Sequence, residues 1–165
     1  MTAYFWEAKS VETVAEDVLR NNHYDISGEE YLFLFRSDMP RSKGKPKLGD
    51  VKVLSGETSA LVDIKHGITF EDVQENGNPQ IFRICVSYTL WQMLETEERE
   101  ALVDYLLCHC RVMANDNDNV KYSVASPDVS YFSNNKDRYG DWQKKLRNAN
   151  TTTGLEDNDG EEISP

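Results

Sequence analysis

His109, in the stretch ALVDYLLCHC at residues 101–110, is the side chain best set for metal chemistry. A helix that holds catalytic zinc places two imidazoles four residues apart, so that both leave one face toward one ion. A glutamate directly after the first imidazole then serves as general base toward the metal-bound water. Measured back from His109, the first-imidazole position is Tyr105 and the glutamate position is Leu106. Leucine takes no proton, and one imidazole falls short of the three protein ligands a catalytic zinc uses. On a continuous helix the flanking Cys108 and Cys110 would project about 100° to either side of His109, so these three cannot close on one ion. The expectation is a buried histidine hydrogen-bonded to Tyr105 or to a carbonyl, with Tyr105 and Leu106 filling the volume of a metal and its water. An altered metal site is the alternative, with Tyr105 as a phenolate ligand beside His109 and either His23 or His66 arriving from a loop.

Other chemistry is less well supported. The glycines of SG at 27–28 and of KGKPKLG do not lead into a helix as a phosphate-cradling loop does. Asp128, Asp137 and Asp141 are close in sequence and read as a solvated helix face. Cys85, Cys108 and Cys110 have no CxxC spacing and are odd in number, so they read as reduced, buried thiols.

The formal net charge is −11, from 29 acidic against 18 basic residues. Five of the acids, Glu156, Asp157, Asp159, Glu161 and Glu162, lie after Thr151 in a segment with no base, which puts about half of the excess in the tail. Binding to a phosphate backbone needs concentrated Lys and Arg, and only Arg41, Lys43, Lys45 and Lys47 cluster that way. A nucleic-acid-associated module using that loop is therefore a further alternative, whereas a protein partner with a basic surface fits the overall sign.

These residues need elements to position them. Val11, Val14, Ala15, Val18 and Leu19 predict an amphipathic helix with Ser10 as its cap. YLFLFR at 31–36 predicts a central strand buried on both faces. VKVLSG predicts a strand, SALVDI a strand or a turn of helix, and EDVQENGNPQ a polar loop. IFRICVSY predicts a strand with Phe82, Ile84, Val86 and Tyr88 facing the core. A buried helix over 96–113, capped by Thr96, should carry His109, and ANDNDN should end it. VKYSVA predicts a strand, followed by a helix capped by Ser126. The fold class expected is α+β: one domain over residues 1–149, and a disordered acidic tail over 150–165. No apolar run is long enough to cross a bilayer, and the N-terminus lacks the pattern of a secretory signal.

On these residues the chain resembles the phage metallopeptidase family. Typical members carry a stretch like EQREALVDHELCHC, a downstream HDV and an ERYG-W block. Here the corresponding text is TLWQMLETEEREALVDYLLCHC, PDVSYF and DRYGDW, and the resemblance extends from about Val11 through Trp142, including YLFLFRS and KGKPKLGDVKVLSG. It implies a zincin-like fold, a small mixed sheet packed on a buried helix. It also implies that the family's three zinc ligands fall on Tyr105, His109 and Pro127, and its base on Leu106. Only His109 matches. The resemblance, the emptied ligand set and the acidic excess together imply a non-catalytic phage protein that holds no cofactor. Such a protein would act in the cytoplasm of the infected bacterium, binding and inhibiting a host protein of defence or nucleic-acid processing through an acidic surface.

Overall fold

A computed structural model describes residues 2–42, 45–65, 67, 69–76, 80–114, 120–125 and 132–143. The protein is a mixed α+β structure built on a small sheet. Strands β1 (Phe5–Glu7), β2 (Tyr31–Arg36), β5 (Asp50–Leu54) and β6 (Ile81–Ser87) form it in the order β1-β2-β6-β5. β2 and β6 run parallel, with Phe33 opposite Ile84, while β1 and β5 are antiparallel to their neighbours. Two short strands, β3 (Arg41–Ser42) and β4 (Lys45–Pro46), pair with each other, so the basic segment forms a hairpin where a loop was expected.

Helix α1 (Lys9–Asn22) buries Val11, Ala15, Val18 and Leu19, one stripe at helical spacing. It begins before the expected cap. The Ala8 amide is bonded to the Phe33 carbonyl at 3.0 Å, and the chain turns from β1 straight into the helix, leaving Ser10 within the first turn. A single-turn 3-10 helix (Tyr24–Ile26) follows. β2 is internal, as expected, but only Phe33 and Phe35 are fully buried, and their neighbours are half-buried. The strand buried on both faces is β6, between β2 and β5. Phe82, Ile84 and Val86 join the main core on one side, and Ile81 and Cys85 are covered on the other. Tyr88, expected to face the core, begins helix α4 (Tyr88–Met93) and is partly exposed.

SALVDI lies within helix α2 (Gly56–Ile64), and helix α3 (Phe70–Asn76) occupies part of the stretch expected to be loop. Helix α5 (Thr96–Cys108) has its cap one residue before the expected one, Thr96 being its first residue. Glu95 is its N-cap, in a capping box with Glu98.

The larger difference is at its other end: α5 stops at Cys108, and β7 (Cys110–Ala114) pairs with β8 (Val120–Val124) where the helix was expected to run on to Met113. The sequence carries a period-2 signal there. Cys110 is buried and Met113 exposed, the alternation of a half-covered strand. Tyr122 of β8 holds the hairpin to the sheet, stacking on Phe82 at 4.2 Å and donating from its hydroxyl to Glu29 at 2.5 Å. Helix α6 (Ser133–Tyr139) closes the described fold against α5 and is capped by Phe132, so the expected cap, Ser126, is not its start and lies outside the described residues. Gly140 ends it with φ of +68°, a left-handed conformation that favours glycine. The expected tail, 150–165, also lies outside the described residues. No helix among the described residues is long and apolar enough to cross a membrane.

Candidate functional site

Helix α5 presents two sites, one on each side of its last turn. The first contains Tyr105, Leu106 and His109, the positions at which a zinc helix would carry its ligands and base. Leu106 is 1% exposed and packs against the chain entering β5. A Cβ on Gly49 would lie 2.8 Å from both Leu106 methyls and 3.1 Å from the Cys85 carbonyl oxygen, so the backbone approaches this leucine as closely as a glycine permits. Tyr105 stands edge-on to His109 at 5.2 Å and also meets Phe132 at 5.6 Å and Trp142 at 5.9 Å. Phe132 in turn stands edge-on to His109 at 4.7 Å. Four rings drawn from α5, α6 and their flanks thus pack together in the geometry favoured between π-systems.

His109 is the C-cap of α5. Its Nδ1 lies 2.7 Å from the Ala125 carbonyl oxygen, which only accepts, so this nitrogen carries a proton. Burial lowers its pKa, and burial likewise raises that of Tyr105, which keeps the phenol protonated. Because α5 has ended, Cys110 belongs to a strand and not to another face of the same helix.

These residues do not fit a catalytic zinc. One imidazole is present, its Nδ1 is committed to a carbonyl, the general-base position is a buried leucine, and a neutral phenol fills the first-ligand position. The third ligand position, Pro127, lies outside the described residues and as proline offers no imidazole. His23 is bonded to Asp104 in the second site, and His66 is outside the described residues.

The second site was not anticipated from sequence and centres on Asp104, a carboxylate with no exposed surface inside an apolar helix. Its Oδ1 accepts from Asn22 at 3.1 Å, His23 Nε2 at 2.7 Å, and Arg138 Nε and Nη2 at 3.2 and 2.8 Å. Its Oδ2 accepts from Asn135 at 2.8 Å and Arg138 Nη2 at 2.9 Å. Burial alone would raise the Asp104 pKa, but the hydrogen bonds from His23, Asn135 and Arg138 outweigh it and hold the carboxyl below the usual carboxylate range. One turn on, the Cys108 thiol lies 4.0 Å from Asp104 Oδ2, and burial with the neighbouring carboxylate pushes it up to about 12. Asn135, fully buried, also donates to the Ala101 carbonyl and accepts from the Trp142 indole at 2.7 Å, so α6 is tied to α5 through polar bonds. A cleft of about 420 Å³ opens on this cluster, lined by His23, Asp25, Cys108, Arg111, Phe132 and Arg138 among others. The sequence signal for it was present: Asp104 is a lone acid in the apolar run from Ala101 to Cys108, and a buried charge demands partners.

Lys47 is paired with Asp50 at 3.1 Å, and Arg41 sits in β3. Lys45 is in β4, while Lys43, Asp128 and the acidic residues Glu156 to Glu162 lie outside the described residues. Asp137 and Asp141 are exposed, as expected of a solvated face.

A small mixed sheet packed with several helices defines the class as α+β. The chain belongs to a phage metallopeptidase family: the family model described as "Putative phage metallopeptidase" matches residues 3–150. No curated protein and no solved structure matches it.

Proposed function

We propose that this chain is a non-hydrolytic, zincin-like member of its family, a pseudo-metallopeptidase that acts by binding a host protein in the infected bacterium. The observation that carries the first part is the packing of Leu106 against Gly49 and of Tyr105 against His109, Phe132 and Trp142. Volume that metal, water and base would need is filled by side chains. Loss of a general base alone costs about a hundredfold or more in rate, and the ligand count falls from three to one.

Binding is supported by charge and by an exposed edge. The net charge of −11 suits a partner with a basic surface, such as one that handles nucleic acid. β1 is a terminal strand of the sheet, and Tyr4, Phe5, Trp6 and Tyr88 are exposed along it. Aromatic side chains of this kind are enriched where protein interfaces concentrate their energy.

The test has two arms. Zinc-loaded protein should not cleave casein or a mixed peptide library, and zinc-dependent cleavage that disappears in His109→Gln would overturn the non-hydrolytic assignment. Host proteins retained on the immobilised chain should be released by salt and lost with Trp6→Ala. Retention of no specific protein would remove the binding role.

A further inference from the structure

His23 Nε2, an Asp104 oxygen and the Cys108 sulfur lie within 4.8 Å of one another, and none of the three belongs to the degenerate zinc positions. Asp104 and Cys108 are four residues apart on α5, so their side chains leave one face, and His23 reaches them from the C-cap of α1. A cation already stands among them. Arg138 Nη2 is 2.8 and 2.9 Å from the two Asp104 oxygens, 3.5 Å from His23 Nε2 and 3.8 Å from Cys108 Sγ.

Its fit to those partners is uneven. Asp104 only accepts, so at 2.7 Å His23 Nε2 carries a proton toward it, and the Arg138 and His23 donors then face each other across 3.5 Å. Asp104 has no side-chain exposure, whereas the Arg138 side chain is 29% exposed and borders the cleft, so the arginine is the member free to leave.

The geometry points to a binding site for a thiophilic divalent cation, zinc or cobalt, formed by His23 Nε2, Asp104 and Cys108 Sγ, which the ion enters by displacing the Arg138 guanidinium into the cleft. Imidazole, thiolate and carboxylate are the donor set of such ions, and tetrahedral coordination asks for donors roughly 3.5 Å apart. His23 Nε2 lies 2.7 Å from Asp104 Oδ1, Cys108 Sγ lies 4.0 Å from Asp104 Oδ2, and one donor atom from each of the three residues falls within 4.8 Å of the others, so small side-chain shifts reach that value. Charge balances in both states. Arg138 and Asp104 form a neutral pair, and a divalent ion with one carboxylate and one thiolate is also neutral. The exchange forms one metal–sulfur bond and releases the thiol proton to solvent, while the His23 proton moves from Nε2 to Nδ1. The fourth coordination position faces the cleft and is left to water.

The proposal stands apart from the non-hydrolytic assignment, and one titration series separates them. Cobalt added to the reduced full-length protein should give one equivalent of binding with a thiolate-to-cobalt charge-transfer band, displaced by zinc. Cys108→Ser should abolish the band, and His23→Gln should weaken binding at least tenfold. His109→Gln and Cys110→Ser should leave it unchanged, and Arg138→Gln, which removes the competing charge but keeps a donor, should tighten it at least tenfold. Circular dichroism establishes that each variant is folded. Absence of the band in the folded wild type overturns the proposal, as does a band that survives Cys108→Ser or one that requires Arg138→Gln. Binding lost in His109→Gln and accompanied by peptide cleavage would overturn both assignments, whereas no binding anywhere would overturn this one alone.

Discussion

At the scale of single residues, α5 shows how one change of side chain alters what its neighbours must be. Leu106 stands where a zinc helix ending in His109 would carry its base, but it is a core residue against Gly49, so a carboxylate does not fit there. Leu106→Glu would bury a charge with no partner, and we expect a loss of about 3 kcal/mol or more in urea denaturation. Leu106→Met, which conserves volume, should cost less than about 1.5 kcal/mol. Equal costs for the two would mean that the site is open to water. Asp104 is the opposite case, a charge the fold already satisfies. Asp104→Asn leaves Arg138 against a neutral amide and should destabilise by about 3 kcal/mol, the scale on which a broken buried ion pair is felt. Much of this was legible in sequence for His109, because the spacing of a zinc helix is a strict geometric requirement and its violation at 105 and 106 is visible at once. The partners of Asp104 were not, since Asn22 and His23 come from the end of α1 and Asn135 and Arg138 from α6, and the docking of both on α5 depends on tertiary packing.

At the scale of elements, the chain read as helices and strands most clearly where one period ran long. α1 and β6 were visible in their apolar spacing, and the capping chemistry at the start of α5 was misplaced by only one residue. The end of α5 was misread because ALVDYLLCHCRVM is apolar enough to continue as helix, and the alternation beginning at Cys110 is only a few residues long. What decides it is tertiary: the Ala125 amide bonds the His109 carbonyl at 2.7 Å, which continues the β7–β8 pairing up to the helix cap. The hairpin is anchored to the sheet largely by Tyr122. Tyr122→Phe keeps the stack on Phe82 and gives up the hydroxyl's bond to Glu29 and the one it accepts from the Glu30 amide, at an expected cost of about 1–2 kcal/mol. Tyr122→Ala removes both and should cost about 3 kcal/mol or more. Hydrogen exchange of the β7 and β8 amides checks this directly, because protection there should fall further in the alanine variant than protection in α1.

At the scale of the whole molecule, the response to acid follows from groups whose folded pKa values differ from their unfolded ones. His109 is half-buried and desolvation lowers its pKa, so the unfolded chain binds its proton more readily. Stability is therefore lost as pH falls below about 6.5, the ordinary histidine value, toward the folded pKa. Asp50 is also lowered. Burial works against its charge, but bonds from Lys47 and Arg83 prevail, so its contribution is complete above about 3.9, the ordinary Asp value, and is lost as pH falls through the lower folded one. Two separate windows of acid lability are expected, one beginning near neutrality and one in the carboxylate range. The urea midpoint measured from pH 8 to pH 3 should fall in two stages. His109→Gln should flatten the upper stage and leave the lower one, and Asp50→Asn should flatten part of the lower stage at the cost of lower stability at neutral pH. A single decline confined to the carboxylate range would show that His109 titrates alike in both states. That would contradict the desolvation of His109 between Tyr105 and Phe132, and with it the proposal that side chains fill the space a metal and its water would need.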